Sequence, residues 1–159
     1  MIASELRKLL HYDPESGLFT WIAEKRSGVP KHRIAGCVHS KGYVHIVVMR
    51  KLYKAHRLAW IYMTGEWPKD QIDHINMIRS DNRYSNLREA TGSINQQNKQ
   101  HAMATSSTGL LGAFKHGKKF CARIRVDGMQ RYLGQFNSPE LAHAAYMRAK
   151  RIYHEGYVS

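Results

Sequence analysis

Apolar and polar positions along this 159-residue chain change period several times, and each change marks a boundary between elements. Ser4 to Leu10 reads as a short helix. After the turn Asp13-Pro14-Glu15-Ser16-Gly17, the run Gly17-Leu18-Phe19-Thr20-Trp21-Ile22 reads as a strand. Tyr43 to Met49, a turn around Arg50-Lys51, and Leu52 to Ala55 have the pattern of a hairpin. His56 to Met63 then carries apolar residues at helical spacing, and Gly65 and Pro68 end that helix. Gln71 to about Gln100 predicts two short strands around a polar loop, followed by a helix starting near Thr91 or Ser93, either of which can accept the first free amides. His101 to Thr108 has no apolar period and reads as a linker. Beyond it, Leu111–Lys115, Lys119–Val126 and Arg131–Phe136 form a three-stranded antiparallel meander with turns at His116-Gly117 and Asp127-Gly128. Ser138-Pro139-Glu140 starts a helix reaching about His154, with an N-cap, a proline in the first turn and an acid beside it. Ala142, Ala144, Ala145 and Ala149 would let that helix sit close on the sheet.

The fold class expected is α+β. Hydrophobic content of 43% supports a packed core, and the length suits one ordinary domain or two small ones. No stretch approaches the roughly 18 apolar residues of a membrane span, and Met1 to Arg7 lacks the apolar core of a signal peptide, so no membrane partner and a cytoplasmic location are expected. Cys37 and Cys121 stand far apart and in no metal-ligand spacing, which leaves them as ordinary thiols. Charge changes the picture most. The net +13 is spread along the chain, with 15 basic against nine acidic side chains in residues 1–95 and ten against three in 96–159. Such a balance favours a polyanion, because each neutralised phosphate releases counterions.

One stretch carries chemistry: Ile72-Asp73-His74-Ile75-Asn76, then Asp81-Asn82-Arg83, Ser85-Asn86-Leu87-Arg88 and Asn95. Cutting a phosphodiester requires an activated water, a counter-charge on the phosphate and a stabilised leaving 3′ oxygen. Asp73 can supply a hard anionic oxygen suited to Mg2+, and His74, its strand neighbour, projects to the opposite side and can face an attacking water. Asn95 can add a neutral amide oxygen, leaving an open shell for waters and phosphate oxygens. Taken singly, Asp-His before Asn is often turn chemistry. Asn98, one helical turn beyond Asn95 and on nearly the same face, competes with it. His56 is read as packing or hydrogen-bonding within the fold. Arg57, Arg79, Arg83 and Arg88 could clamp phosphates, with a solvated surface as the default for each.

Taken together, these residues resemble the HNH endonucleases, specifically the phage and intron-encoded homing type with a ββα-metal motif. Asp73-His74 matches the opening pair, Asn86 lies twelve residues after His74 and Asn95 nine further on. His56-Arg57-Leu58-Ala59-Trp60, Gly65, Pro68 and the Tyr12–Gly17 opening also look like that subfamily, so about 100 residues are covered. The resemblance implies that Asp73 and Asn95 bind one Mg2+ or Mn2+, that His74 is the general base, and that Asn86 holds the loop and orients the histidine. Only its spacing prefers Asn95 over Asn98. It also implies a setting in bacterial or phage-infected host cells.

In the last third, Lys119, Cys121, Arg123 and Arg125 alternate with Phe120, Ala122, Ile124 and Val126, so one face meets the helix and the other presents guanidinium groups. Gly112, Arg123-Ile124-Arg125, Tyr132-Leu133-Gly134-Gln135-Phe136 and Ser138 to Tyr146 look like the plant ethylene-response-factor (APETALA-type) DNA-binding domain, over roughly residues 108 to 156. Arg125 and Tyr132 fall where that family places a base-contacting Arg and an aromatic, whereas Leu111, Phe114 and His116 replace its first-strand arginines.

The combined expectation is a mixed N-terminal module with a nuclease core (1–100, core about 71–100), a linker (101–108) and a sheet-plus-helix DNA reader (109–159). It is a metal-dependent endonuclease acting on double-stranded DNA as a monomer or weak dimer, leaving 5′-phosphate and 3′-hydroxyl ends. Arg57, Arg83, Arg88, Arg123, Arg125 and Tyr132 are the candidate DNA contacts. The alternatives are a DNA-binding regulator with an inactive scaffold and a structure-directed RNA nuclease.

Overall fold

The computed structural model describes residues 1–22, 30, 32–99, 101–154 and 157. Gln100, given above as the end of the ββα segment, lies outside the described residues, as does the C-terminal limit at 159. The chain divides into two compact units, Met1–Gly92 and Ser93–Ser159.

The first unit begins with α1 (Ala3–Leu9), which runs directly into β1 (Leu10–Asp13). The strand β1 is a departure from the sequence reading. It pairs with β2 (Leu18–Trp21) in register Leu10↔Trp21 to Asp13↔Leu18, around the expected turn, whose Asp13 carboxylate accepts from Glu15 N (3.0 Å) and Ser16 Oγ (2.6 Å). Next comes the sheet β3 (Cys37–Val38), β4 (Val44–Val48) and β5 (Lys51–Lys54). Val48 pairs with Lys51, so the β4–β5 turn is Met49-Arg50 rather than Arg50-Lys51. Both its residues have positive φ (50° and 63°), the twist that a two-residue hairpin requires.

Helix α2 (Ala55–Thr64) ends where expected: Gly65 is left-handed (φ 87°) and its N–H reaches Ile61 O at 2.9 Å. Its buried face, Ala55, His56, Leu58, Ala59 and Ile61, joins Leu6, Leu10, Tyr12, Phe19, Ile46 and Val48 in one core. Tyr12 stacks on Phe19 (ring centroids 4.7 Å), and Tyr62 meets both edge-on. Ile72 and Leu87, buried in the same core, anchor β6 (Gln71–His74) and β7 (Leu87–Ala90) to it, and these strands pair antiparallel. The helix α3 (Gly92–Gln97) follows directly after Thr91, so the strand, strand, helix order expected from the sequence is present.

In the second unit β8 (Ala113–His116), β9 (Lys119–Val126) and β10 (Met129–Phe136) form the meander, in sheet order β10-β9-β8, and α4 (Pro139–Tyr153) packs on one face. Ser138 Oγ accepts from Leu141 N at 3.3 Å, as an N-cap should. Ala142, Ala145, Tyr146 and Ala149 make the helix's packed stripe, with spacings of three and four. Ala144, expected in that stripe, is not in it, because two residues along a helix is more than half a turn away. Against the same stripe lie Phe120, Ala122, Ile124 and Val126, the apolar face read from the alternation. Cys121, assigned to the opposite, solvent face, is nevertheless buried.

Candidate active site

Strand register places the chemistry. Asp73 stands opposite Arg88 and His74 opposite Leu87, so Asp73 shares a sheet face with Arg88 while His74 shares the other with an apolar core residue. Both Asp73 and His74 are buried, at 6% and 4% exposure. Asp73 Oδ2 accepts from Arg88 Nε (3.0 Å) and Nη2 (2.8 Å).

The loop from Ile75 to Asn86 is tied across its base. Ile75 N donates to Asn86 O (2.9 Å), Asn76 N donates to Asn86 Oδ1 (2.9 Å), and Asn86 Nδ2 donates to Asp81 O (2.8 Å). Asn86 is buried, so these bonds are made out of water, and removing the side chain would strand a backbone N–H and a C=O. Holding the loop is thus an observed contact of Asn86, whose side chain bonds to the loop at Asn76 N and Asp81 O. Asn76 and Arg83 converge on Asp81: Asn76 Nδ2 at 2.7 Å, and Arg83 Nε and Nη2 at 2.9 and 2.6 Å on its two oxygens. These bonds, that of Arg83 foremost, hold the Asp81 carboxyl down to about 2. The Arg83 guanidinium therefore has an internal partner, as has that of Arg88, while Arg57 on α2 lies over the Trp67 ring (5.9 Å).

One contact to His74 comes from a residue to which the sequence reading gave no role. Asn82 is buried, its Nδ2 donates to Ser80 O (3.1 Å), and its Oδ1 lies 3.4 Å from His74 Nε2. An amide oxygen only accepts, so this long contact favours the tautomer with hydrogen on Nε2 and the basic lone pair on Nδ1. Asn82 is itself placed by the β1–β2 hairpin. Tyr12 Oη donates to Asn82 O (2.6 Å), Tyr84 N donates to Pro14 O (3.1 Å), and Gly17 lies so close that a Cβ there would sit 2.5 Å from Arg83 N. Burial raises the Tyr12 phenol, which stays a donor. The missed signal was present in Asp81-Asn82-Arg83, but its partner Tyr12 is 70 residues away.

Two further rings surround the histidine. His56 meets it edge to face at 5.0 Å between centroids, and Tyr43 lies 6.0 Å away. Burial lowers His74 below the ordinary histidine range, with Asn82 and Asp73 opposing, so it is neutral at pH 7 and able to take a proton. His56 is pushed further, down to about 3, by burial and then by His74 and Lys54, and its Nδ1 has no hydrogen-bond partner among the described residues. It packs inside the fold, as expected.

Asn95 lies on α3, half-buried, within the second unit; Asn98 follows the end of α3 and is buried, its N–H bonded to Ile94 O (3.1 Å). In the same unit the sheet face away from α4 is exposed apart from Cys121. It carries Lys119, Arg123 and Arg125 of β9, with Tyr132 opposite Arg123, Gln130 opposite Arg125 and Phe114 opposite Cys121. Arg125 Nε donates to Gly128 O (3.0 Å), while Tyr132 is 61% exposed.

No curated protein and no solved structure matches the chain. A family model described as HNH endonuclease matches residues 53–97. That span contains the whole β6–β7 hairpin and its loop, His56 and Asn95, though not the Tyr12–Gly17 opening or anything beyond Gln97. Residues 53–97 are thus similar to an HNH endonuclease domain, which supports a nuclease.

Proposed function

We propose that the chain is a divalent-metal-dependent DNA endonuclease of the homing type, hydrolysing a phosphodiester to 5′-phosphate and 3′-hydroxyl ends. The observation that carries this reading is the pair at the end of β6: a buried histidine in contact with Asn82, next to a buried carboxylate that already holds a cationic group on one oxygen. Among the described residues no group of three or more His, Cys, Asp or Glu side chains could hold a metal ion. The donors proposed are fewer and of another kind, one carboxylate (Asp73) and one amide oxygen (Asn95), which suits a Mg2+ or Mn2+ that keeps several of its waters. The guanidinium on Asp73 Oδ2 is a stand-in cation that supports this assignment. When bound, the ion supplies electrostatic stabilisation of the phosphate and of the leaving 3′ oxygen.

The chain's own groups do the rest. His74, neutral at pH 7, takes the proton of the attacking water on Nδ1, and Asn82 keeps the ring turned for it. Asn86 keeps the loop closed. The exposed face with Arg123, Arg125 and Tyr132 serves as an ethylene-response-factor-like module that reads duplex DNA through the major groove, with Arg57 and, once released from their carboxylates, Arg83 and Arg88 as phosphate contacts. The enzyme works in the cytoplasm as a monomer or weak dimer; no helix among the described residues is long and apolar enough to cross a membrane.

The test is plasmid cleavage by pure protein with Mg2+ or Mn2+, with and without chelator, alongside His74→Ala. Wild type should cut only with metal, and His74→Ala should bind duplex as before without cutting. Tight binding without any cutting by the wild type would instead establish the regulator with an inactive scaffold. Preference for RNA over duplex DNA would establish the RNA nuclease.

A further inference from the structure

The β6–β7 loop region contains two Arg–Asp pairs of different form. Arg83 grips Asp81 as a fork, one nitrogen on each carboxylate oxygen, the arrangement that fits guanidinium to carboxylate best. Arg88 instead places both Nε and Nη2 on the single oxygen Oδ2 of Asp73. The first pair is open to solvent at Arg83, whereas the second is sunk, with side-chain exposures of 25% for Arg88 and 7% for Asp73. Strand pairing fixes the second pair, since Asp73 and Arg88 are direct cross-strand partners and their side chains leave the sheet on the same face.

We infer that Arg88 is a placeholder for the divalent cation at Asp73: its guanidinium occupies Oδ2 while the site lacks metal and is exchanged for the ion when metal binds. This rests on the reading of Asp73 as a metal ligand. Burying a carboxylate without a positive partner is costly, and Arg88 supplies one through two bonds on Oδ2. Two cations cannot share Oδ2 at hydrogen-bonding and coordination distance without strong repulsion, so an ion that takes Oδ2 displaces the Arg88 guanidinium. The displaced guanidinium is then left beside the ion, on the face where a phosphate approaches, so that metal binding both charges the site and frees a phosphate contact. The apparent metal affinity of the resting protein is lowered by the fraction of molecules in which Arg88 is engaged.

The test is Mn2+ binding to the full chain without DNA, read from the EPR signal of free Mn2+, with melting temperatures in chelator and in Mn2+. Arg88→Gln should bind Mn2+ about tenfold more tightly than wild type, the change expected if the contact is about nine-tenths populated, and should melt lower in chelator yet gain more from Mn2+. Arg88→Lys keeps the charge but cannot place two donors on one oxygen, so it should fall between the two; it also serves if Arg88→Gln does not fold. Mn2+ affinity that is unchanged or weaker in Arg88→Gln overturns the inference, as does an Arg88→Lys variant indistinguishable from wild type. Asp73→Asn separates the two claims. If Asp73→Asn binds Mn2+ like wild type, the metal-ligand reading has failed; if it loses Mn2+ while Arg88→Gln gains nothing, only the placeholder has failed.

Discussion

Because His56 is buried in the core against the His74 ring, the first unit should lose stability in mild acid by an amount that can be worked out in advance. Its folded-state pKa is pushed down to about 3, against about 6.5 for an unfolded histidine. A depressed folded value means that below pH 6.5 the unfolded chain takes up a proton that the folded one refuses. The contribution is therefore intact above pH 6.5, falls as pH drops, and is fully lost near pH 3. Between pH 7 and pH 5 the linkage integral gives about 2 kcal/mol, and the full effect approaches about 5 kcal/mol. With a urea m-value of about 1 to 2 kcal/mol/M for a unit of this size, the unfolding midpoint should fall by about 1 to 2 M from this residue alone. All three tryptophans, Trp21, Trp60 and Trp67, lie in the first unit, so tryptophan fluorescence reports its unfolding selectively. His56→Gln removes the titrating ring. It should start less stable at pH 7 but lose about 2 kcal/mol less than wild type on going to pH 5, while the smaller downward shift of His74 acts in both proteins. Equal losses in the two proteins would refute the assignment of this acid sensitivity to His56.

Other outcomes follow from close approaches and from charge. In Gly112→Ala the new Cβ would lie 2.0 Å from Tyr146 Cγ at a residue with φ of 74°; overpacking plus left-handed strain should destabilise the second unit by about 2 to 4 kcal/mol, seen as a lower melting transition in near-ultraviolet circular dichroism. Gly17→Ala should push Arg83 and Asn82 off the β1–β2 hairpin, where the Cβ would come within 2.5 Å of their backbone. Single-turnover cleavage should then fall at least about tenfold with duplex affinity nearly unchanged, since misplacement by about 1 Å can cost far more than that. Arg57→Gln, which removes one proposed phosphate contact, should flatten the slope of log affinity against log salt by about 0.9 when duplex binding is titrated at several salt concentrations.

Much of this was legible because periodicity reports burial. The helix ended by Gly65, the meander and the helix capped by Ser138 all follow from residue types whose local preferences agree with their tertiary setting. The failures have local causes too. Strand β1 was hidden because Leu10-His11-Tyr12-Asp13 continues from α1 without a breaker, and four residues are too few to separate a period of two from 3.6. The β4–β5 turn was misplaced by one residue because Met49 and Arg50 carry no glycine or asparagine signal for their positive φ. At the site, Asp73, His74 and Asn86 could be picked out because they lie in one short stretch. Asn82 and the His56–His74 ring contact could not, since what gives them meaning is supplied by β1 and α2 from elsewhere in the chain.

The hydrogen bond from Tyr12 to Asn82 O, with Gly17 pressed on the same loop, bears on how portable the proposed nuclease activity is. The family match begins at residue 53, and a fragment cut there would contain every side chain assigned to the chemistry in the β6–β7 hairpin. It would lack the wall against which that chemistry is set. Grafting residues 53–97 onto another DNA-binding protein should thus give a poor cutter, whereas a graft that keeps the chain from α1 onward transfers the reactive loop together with its mould.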